Sequence, residues 1–305
     1  MHGFLSVLKP PGMTSHDLVQ EVRRLTGQQR VGHGGTLDPD AAGVLVLGLG
    51  QATRLLEFVK EATKSYRCEM LLGLTTSTED LSGEVLDRRE VTRLSAIQVE
   101  AALADFRGEY QQIPPMHSAL HYRGRRLYDW ARAGIEVERK PRRVRIHDLR
   151  LLRLYRSEGY WRLLLDITCS AGTYVRTLCA DIGRRLGYGG CLGVLVRTRV
   201  GQFRLSTSVT REELAEAGPA GIRQRLLLPP DCALSSLPKG SLLPEAVRRV
   251  QNGNPIGLGV VRWETPSPPA EGQTVRLYDP DGRLVAIASV GSHTAKPYKV
   301  LGWEE

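Results

Sequence analysis

The sequence has little of what builds exported, membrane-spanning or metal-centred proteins. Its five cysteines, Cys68, Cys169, Cys179, Cys191 and Cys232, are odd in number and never closer than ten residues. No Cys-x-x-Cys pair exists, so neither a structural zinc site nor a disulfide framework is expected, and reduced thiols of a cytoplasmic protein fit best. Long apolar runs are missing too. The longest, Ala41 to Leu49, is about half of what a membrane span needs. Met1 to Ser6 shows no basic region followed by an apolar stretch, so no signal peptide is expected. There is no Gly-x-x-x-x-Gly-Lys-Ser/Thr and no Gly-x-Ser-x-Gly. His117 and His121 lack the adjoining glutamate of a zinc protease helix, and Pro114 and Pro115 oppose a helix just before them. Gly48 to Thr53 lacks the third glycine of a dinucleotide fingerprint and reads as a strand-to-helix turn.

What is present is a globular composition with a strong charge bias. Hydrophobic residues make up 41% and charged residues 25% of 305, enough chain for one large domain or two unequal ones. The net charge of +9 and pI near 9.5 point towards a polyanion, most often a nucleic acid.

The spacing predicts a strand over Gly3 to Lys9, stopped by Pro10-Pro11-Gly12. Thr14-Ser15 supplies an N-cap, and Leu18, Val19, Val22 and Leu25 recur at helical spacing up to Gly27. Glycine-rich residues 32–43, with Pro39, read as a loop, Val44 to Leu47 as a buried strand and Thr53 to Lys60 as a helix. Tyr66 to Leu72, Arg143 to Leu154 and Trp161 to Cys169 read as strands, and Thr173 to Leu186 as a helix. Strands and helices interleave without the beat of a doubly wound sheet. The expected class is therefore α+β, a mixed or antiparallel central sheet flanked by helices. Leu228-Pro229-Pro230-Asp231 marks a boundary. Beyond it, strands at Thr274–Tyr278 and Leu284–Val290, set off by turns such as Asp279-Pro280-Asp281-Gly282, predict a small, mostly β domain over 231–305 beside a body of 1–230.

Three local features could carry chemistry. Glycines surround a single carboxylate in His33-Gly34-Gly35-Thr36-Leu37-Asp38-Pro39, letting backbone approach a bulky ligand, although such a loop by itself reads first as an ordinary turn. Lys64-Ser65-Tyr66-Arg67 sets a ring among cations, suited either to a stacked base or to a solvated strand edge. Cys169 to Arg176 runs from a strand through Gly172 into a helix. A cation as early in that helix as Arg176 is disfavoured unless an anion faces it, while Thr173 could be a simple N-cap. Arginines then crowd the segment of about 109–150, among them Arg123, Arg125, Arg126, Arg142 and Arg143. Tyr122, Tyr128 and Trp130 are interleaved and acids are few, which favours phosphate contact.

These stretches resemble the TruB family of pseudouridine synthases, which make pseudouridine at position 55 in the TΨC arm of transfer RNA. His33 to Pro39 with Ala42-Gly43-Val44-Leu45 resembles the catalytic signature, and Lys9 to Ser15 the N-terminal motif. Lys64 to Arg67, Gln112 to Pro115 with Ser118-Ala119-Leu120, Gly124 to Tyr128, Cys169 to Arg176 with Asp181-Ile182-Gly183, and Leu195 to Thr198 follow in family order over residues 3 to 235. The C-terminal module is similar to a PUA RNA-binding domain. Ser77, His121 and Val196 depart from the pattern, where aspartate, lysine and arginine are frequent.

The resemblance implies Asp38 as the catalytic carboxylate, used as nucleophile or base. Arg176 would keep it ionised and in place, with Asp80 pairing Arg176 in the free enzyme. It further implies Tyr66 as the stacking surface for a flipped uracil, His33 as support for the flipped-out RNA, and Leu195 as packing beside the base. Lys9, Lys64, Arg123, Arg125, Arg126, Arg142 and Arg143 would meet the RNA. The reaction is an isomerisation, so neither cofactor nor metal is expected. A transfer RNA partner, a monomer without guide RNA or obligatory protein partner, and a cytoplasmic location complete the expectation.

Overall fold

The run Ala42–Leu49 is apolar without interruption because it is buried on both faces. Val44 and Val46 enter a cluster with Phe4, Leu55 and Val59, whereas Leu45, Leu47 and Leu49 enter another with Leu5, Leu18 and Val22. Period two thus divides one strand between two cores. These features come from a computed structural model that describes residues 1–118 and 120–302. Ala119 of the Ser118-Ala119-Leu120 motif and the end of the C-terminal module lie outside the described residues.

Gly3–Lys9 pairs antiparallel with Ala42–Leu49, from Gly3 opposite Leu49 to Lys9 opposite Gly43. On its other side lies Gly190–Val200, in parallel. Antiparallel strands Lys64–Leu72, Tyr160–Cys169, Arg142–Ser157 and Gly108–Gln112 complete the main path. The sheet is therefore mixed, as expected. Helix Ser15–Thr26 starts with a capping box between Thr14 and Asp17 and stops at Gly27 in the left-handed region. It covers the sheet end with Leu18, Val19 and Val22. Helix Val175–Arg185 covers the centre, placing Leu178, Cys179 and Ile182 against Cys68, Met70 and Leu165.

Several expectations need correction. The loop expected over 32–43 is shorter, because Val31–His33 is a strand and the next begins at Ala42. The helix expected from Thr53 begins as a 3-10 turn, Gly50–Leu55, and becomes α-helical only over Leu56–Glu61. The bland reading of Gly48 to Thr53 as a strand-to-helix turn is what is found. The central strand Gly190–Val200 escaped the sequence reading. Irregularities between Leu192 and Val194 and between Arg197 and Arg199 shift its alternation out of phase, so no continuous period survives.

The C-terminal β domain holds a six-stranded sheet over described residues 239–300, with one parallel joint, and helix Pro244–Gln251. Tyr278, Leu284, Ile287 and Leu301 pack into the cluster of Phe4, Leu55 and Val59. Tyr278 Oη donates to Asp231 at 2.8 Å and Lys299 pairs with Glu57 at 3.1 Å. Among the described residues no helix is long and apolar enough to cross a membrane.

Only glycine fits at 43. Its φ is +114°, and a Cβ there would stand 2.2 Å from the Arg197 carbonyl oxygen, across the parallel joint. Gly43→Ala is expected to lower stability by about 2–4 kcal/mol through strain and overpacking, read as a fall in thermal unfolding midpoint. An unchanged midpoint would show that the joint yields freely.

Candidate active site

Asp38 sits in the loop 34–41 between two sheet strands, and three buried donors set that loop's shape. Ser15 Oγ accepts from Leu37 N at 2.9 Å and donates to Leu37 O at 3.1 Å. Lys9 Nζ donates to Pro10 O, Met13 O and Pro39 O at 2.8, 2.7 and 3.0 Å. Arg197 donates to Val44 O at 2.8 Å and to Thr36 O and Gly35 O at 3.1 Å each. A buried cation is costly unless surrounded by acceptors, and each of these meets several carbonyl oxygens. The loop is thereby folded around charge.

Arg176 lies at the second position of helix Val175–Arg185, and the anion that a cation there requires is present. Its Nε is 2.9 Å from Asp38 Oδ2 and 3.6 Å from Asp80 Oδ2. Its remaining donors reach Thr78 O at 3.0 Å and His117 O at 2.8 Å. Side-chain exposure separates the three charges: Arg176 7%, Asp80 20% and Asp38 43%. Asp38 is the one that a ligand can reach. Asp80 is further occupied by Thr78 Oγ1 and by Ser82 N and Oγ.

Tyr66 stands on the strand Lys64–Leu72, opposite Arg197 on one neighbour and Ile167 on the other. Its ring is buried in one cluster with Leu37, Ala41 and Leu195. Burial raises its hydroxyl above the ordinary phenol range, so it is neutral near pH 7. His33 is part-buried, and among the described residues its Nδ1 has no hydrogen-bond partner. Burial first, then Lys60 and Arg197, pushes it towards the neutral ring, with Gly35 backbone opposing in part. Asp38, Arg176, Asp80, Tyr66 and Leu195 are thus brought together, with His33 on the strand that leads into the loop.

Two expectations fail here. Lys9 and Lys64, taken as cations for phosphate, are buried. Lys9 is fully enclosed by carbonyls, and Lys64 Nζ donates to Lys60 O and Ala62 O. Both ammonium groups are structural. Thr173 is not the helix N-cap either. Tyr174 takes that place, and Gln112 serves it from a neighbouring strand, accepting from Tyr174 N at 2.8 Å and donating to Tyr174 O at 3.0 Å.

Arg123, Arg125, Arg126, Arg142 and Arg143 are exposed. Arg125 lies over Trp130 at 4.7 Å, Arg123 over Tyr122 at 5.4 Å, and Arg126 over Tyr128 at 5.7 Å. The rings interleaved in this segment therefore carry arginines on their faces. Arg143 also pairs with Glu109 at 3.5 Å. Of the departures, Ser77 Oγ accepts from Glu84 N, His121 is exposed and Val196 lies opposite Arg67. None of the three makes a polar contact with Asp38 or Arg176. Among the described residues no group of three or more His, Cys, Asp or Glu could hold a metal ion.

The family follows from comparison. Residues 23–175 match the TruB family pseudouridylate synthase (N terminal domain), and residues 176–235 the tRNA pseudouridylate synthase B C-terminal domain. The chain belongs to the TruB family of pseudouridylate synthases. It is 50% identical to the tRNA pseudouridine synthase B of Moorella thermoacetica, over 98% of this chain and 99% of that one. The protein of the same name from Heliobacterium mobile is 42% identical over 100% of this chain and 96% of its own length. A Cbf5-Nop10-Gar1 complex and an H/ACA RNP bound to a substrate RNA contain chains of the same fold, with TM-scores of 0.75 and 0.74 at 24% and 23% identity. Both cover 98% of this chain and 84% of the other. This TruB-family chain is accordingly an isomerase.

Sequence reasoning gave no role to Arg197, although it quoted the motif that contains it. No local signal marks it, because the irregularities on either side leave no alternation in which a charged residue would stand out.

Burial lowers Lys64 to about 8 from 10.5. The folded state then binds fewer protons than the unfolded chain between those values, so stability should rise with pH across that window. Below about 8 the cost of the buried charge is present in full. Lys64→Met should flatten this rise relative to wild type in thermal unfolding at pH 7 to 10. Parallel curves would show that Lys64 does not titrate in that range.

Proposed function

We propose that this enzyme isomerises uridine to pseudouridine at position 55 in the TΨC arm of transfer RNA, with Asp38 as its catalytic carboxylate. The observation that carries this reading is the placement of Asp38: half exposed, ion-paired at 2.9 Å to a buried arginine, beside a buried tyrosine and leucine. The relatives' name, tRNA pseudouridine synthase B, supports the substrate.

The reaction breaks the bond between uracil N1 and ribose C1′, turns the base, and joins C5 to C1′ with transfer of the C5 proton. Nothing is gained or lost, so no cofactor is needed. A carboxylate can attack C1′, add to the base or take the C2′ proton. Each role needs the carboxylate held at a fixed place and orientation, which the ion pair with Arg176 at 2.9 Å supplies. The target uridine must leave its folded arm, and Tyr66 and Leu195 offer a dry apolar floor for it. His33, at the end of the strand that leads into the loop and pushed by burial towards the neutral ring, would support the displaced RNA.

The exposed arginines 123, 125, 126, 142 and 143 would hold phosphates, and the C-terminal domain, over 231–305, would hold the acceptor stem beside the body of 1–230. A cytoplasmic monomer acting without guide RNA or protein partner, and aiding transfer RNA folding through the same contacts, completes the reading.

The test is to incubate purified protein with an unmodified transfer RNA transcript and map pseudouridine. Wild type should modify position 55 and Asp38→Asn should not. Equal product from Asp38→Asn, or a requirement for added guide RNA, would overturn the reading. Asp38→Asn should still bind the transcript with affinity that falls as salt rises. Salt-independent binding would remove the arginines from the RNA contact.

A further inference from the structure

The loop 76–84 holds Arg176 through two neighbouring residues, Thr78 by its carbonyl and Asp80 by its carboxylate. Between them stands Glu79, whose backbone is left-handed at φ +64° although it is not glycine. Such a conformation costs free energy and persists only where surroundings impose it. The imposing contacts are identifiable. Glu79 Oε2 accepts from Thr177 Oγ1 at 2.5 Å, and its own carbonyl accepts from Leu192 N at 2.9 Å. Thr177 is buried and directly follows Arg176 in the helix. The strand carrying Leu192 also carries Leu195.

We propose that Glu79 is a positioning residue for the reaction, latched to Thr177 so that the Thr78 carbonyl and the Asp80 carboxylate stay aimed at Arg176. The latch couples the loop to the same helical turn that bears the guanidinium, so Arg176 and its two supports move as one unit. The carboxyl faces Arg176, Asp181 and Arg139, and burial raises it above the usual carboxylate range. A hydrogen bond in such surroundings holds geometry more strongly than one in water. Without it, the left-handed residue between the two supports relaxes, and the guanidinium loses the arrangement that aligns Asp38. This inference rests on the reading of Asp38 and Arg176 given above.

The experiment is steady-state kinetics of the full chain on a transfer RNA transcript, with thermal unfolding of each variant. Thr177→Val keeps the buried volume and removes the donor. It should lower kcat about tenfold while KM stays within about twofold. Thr177→Ser and Glu79→Gln keep donor and acceptor and should stay near wild type. Glu79→Gly adopts φ +64° without strain but lacks the latch. It removes the strain together with the latch, so its kcat should fall less than that of Thr177→Val. Wild-type kcat in Thr177→Val, or a loss in Glu79→Gln equal to that in Thr177→Val, would overturn the latch. Asp38→Asn separates the two readings. If it is inactive while Thr177→Val is normal, only the latch fails; if it is active, the assignment of the reacting centre fails.

Discussion

A guanidinium buried to 7% exposure and paired with a carboxylate is the constraint on which the site depends. A buried guanidinium is costly unless acceptors surround it, and Arg176 meets Asp38, Asp80 and two backbone carbonyls, with the half-exposed Asp38 carboxylate partly screened by solvent. Arg176 therefore cannot be held without an anion, and Asp38 is the nearest one. The pairing also explains the loop. Asp38 must be delivered to the helix start from a separate element, and the loop 34–41 does so while Lys9, Ser15 and Arg197 hold its carbonyls. Because Asp38 keeps the larger exposure, the ion pair orients it without hiding it.

The cations of this basic chain fall into two populations with opposite physics. Lys9, Lys64, Arg176 and Arg197 are buried and satisfied by carbonyls or carboxylates, so they build the site and are closed to phosphate. Arg123, Arg125, Arg126, Arg142 and Arg143 are exposed, and the first three lie on aromatic faces at 4.7 to 5.7 Å. Such stacking preorganises a guanidinium while leaving its edge free for a phosphate oxygen. Net charge alone does not separate these populations; burial does.

That distinction decides what was legible in the sequence. The early helical position of Arg176 demanded an anion, and the structure supplies Asp38 and Asp80. The strand expected over Val44 to Leu47 and the capping signal at Thr14 follow from local rules, and the strand is found within the longer Ala42–Leu49 and the cap at Thr14. Lys9 and Lys64 were misjudged because their partners are backbone oxygens, one of them thirty residues away, and no residue type signals a carbonyl. The strand Gly190–Val200 was missed because two irregularities break its phase. Glu79 was invisible as well, since its interest lies in a backbone angle.

The absence of redox or group transfer from an isomerisation has a structural corollary. Such a site needs no cavity for a second molecule; it needs one carboxylate held at a fixed place and orientation. Orientation is supplied by neighbours with no freedom of their own: a buried arginine bonded to two backbone carbonyls, and a loop whose carbonyls are gripped by buried donors. Preorganisation of this kind is fixed during folding rather than at the moment of reaction. The consequence is a division of labour along the chain. The first 72 residues contribute the carboxylate, the tyrosine and two of the loop's supports, Lys9 and Ser15, whereas Asp80, Arg176 and the third support, Arg197, come later and from separate elements. The site therefore forms only when the strand Gly190–Val200 docks between Ala42–Leu49 and Lys64–Leu72.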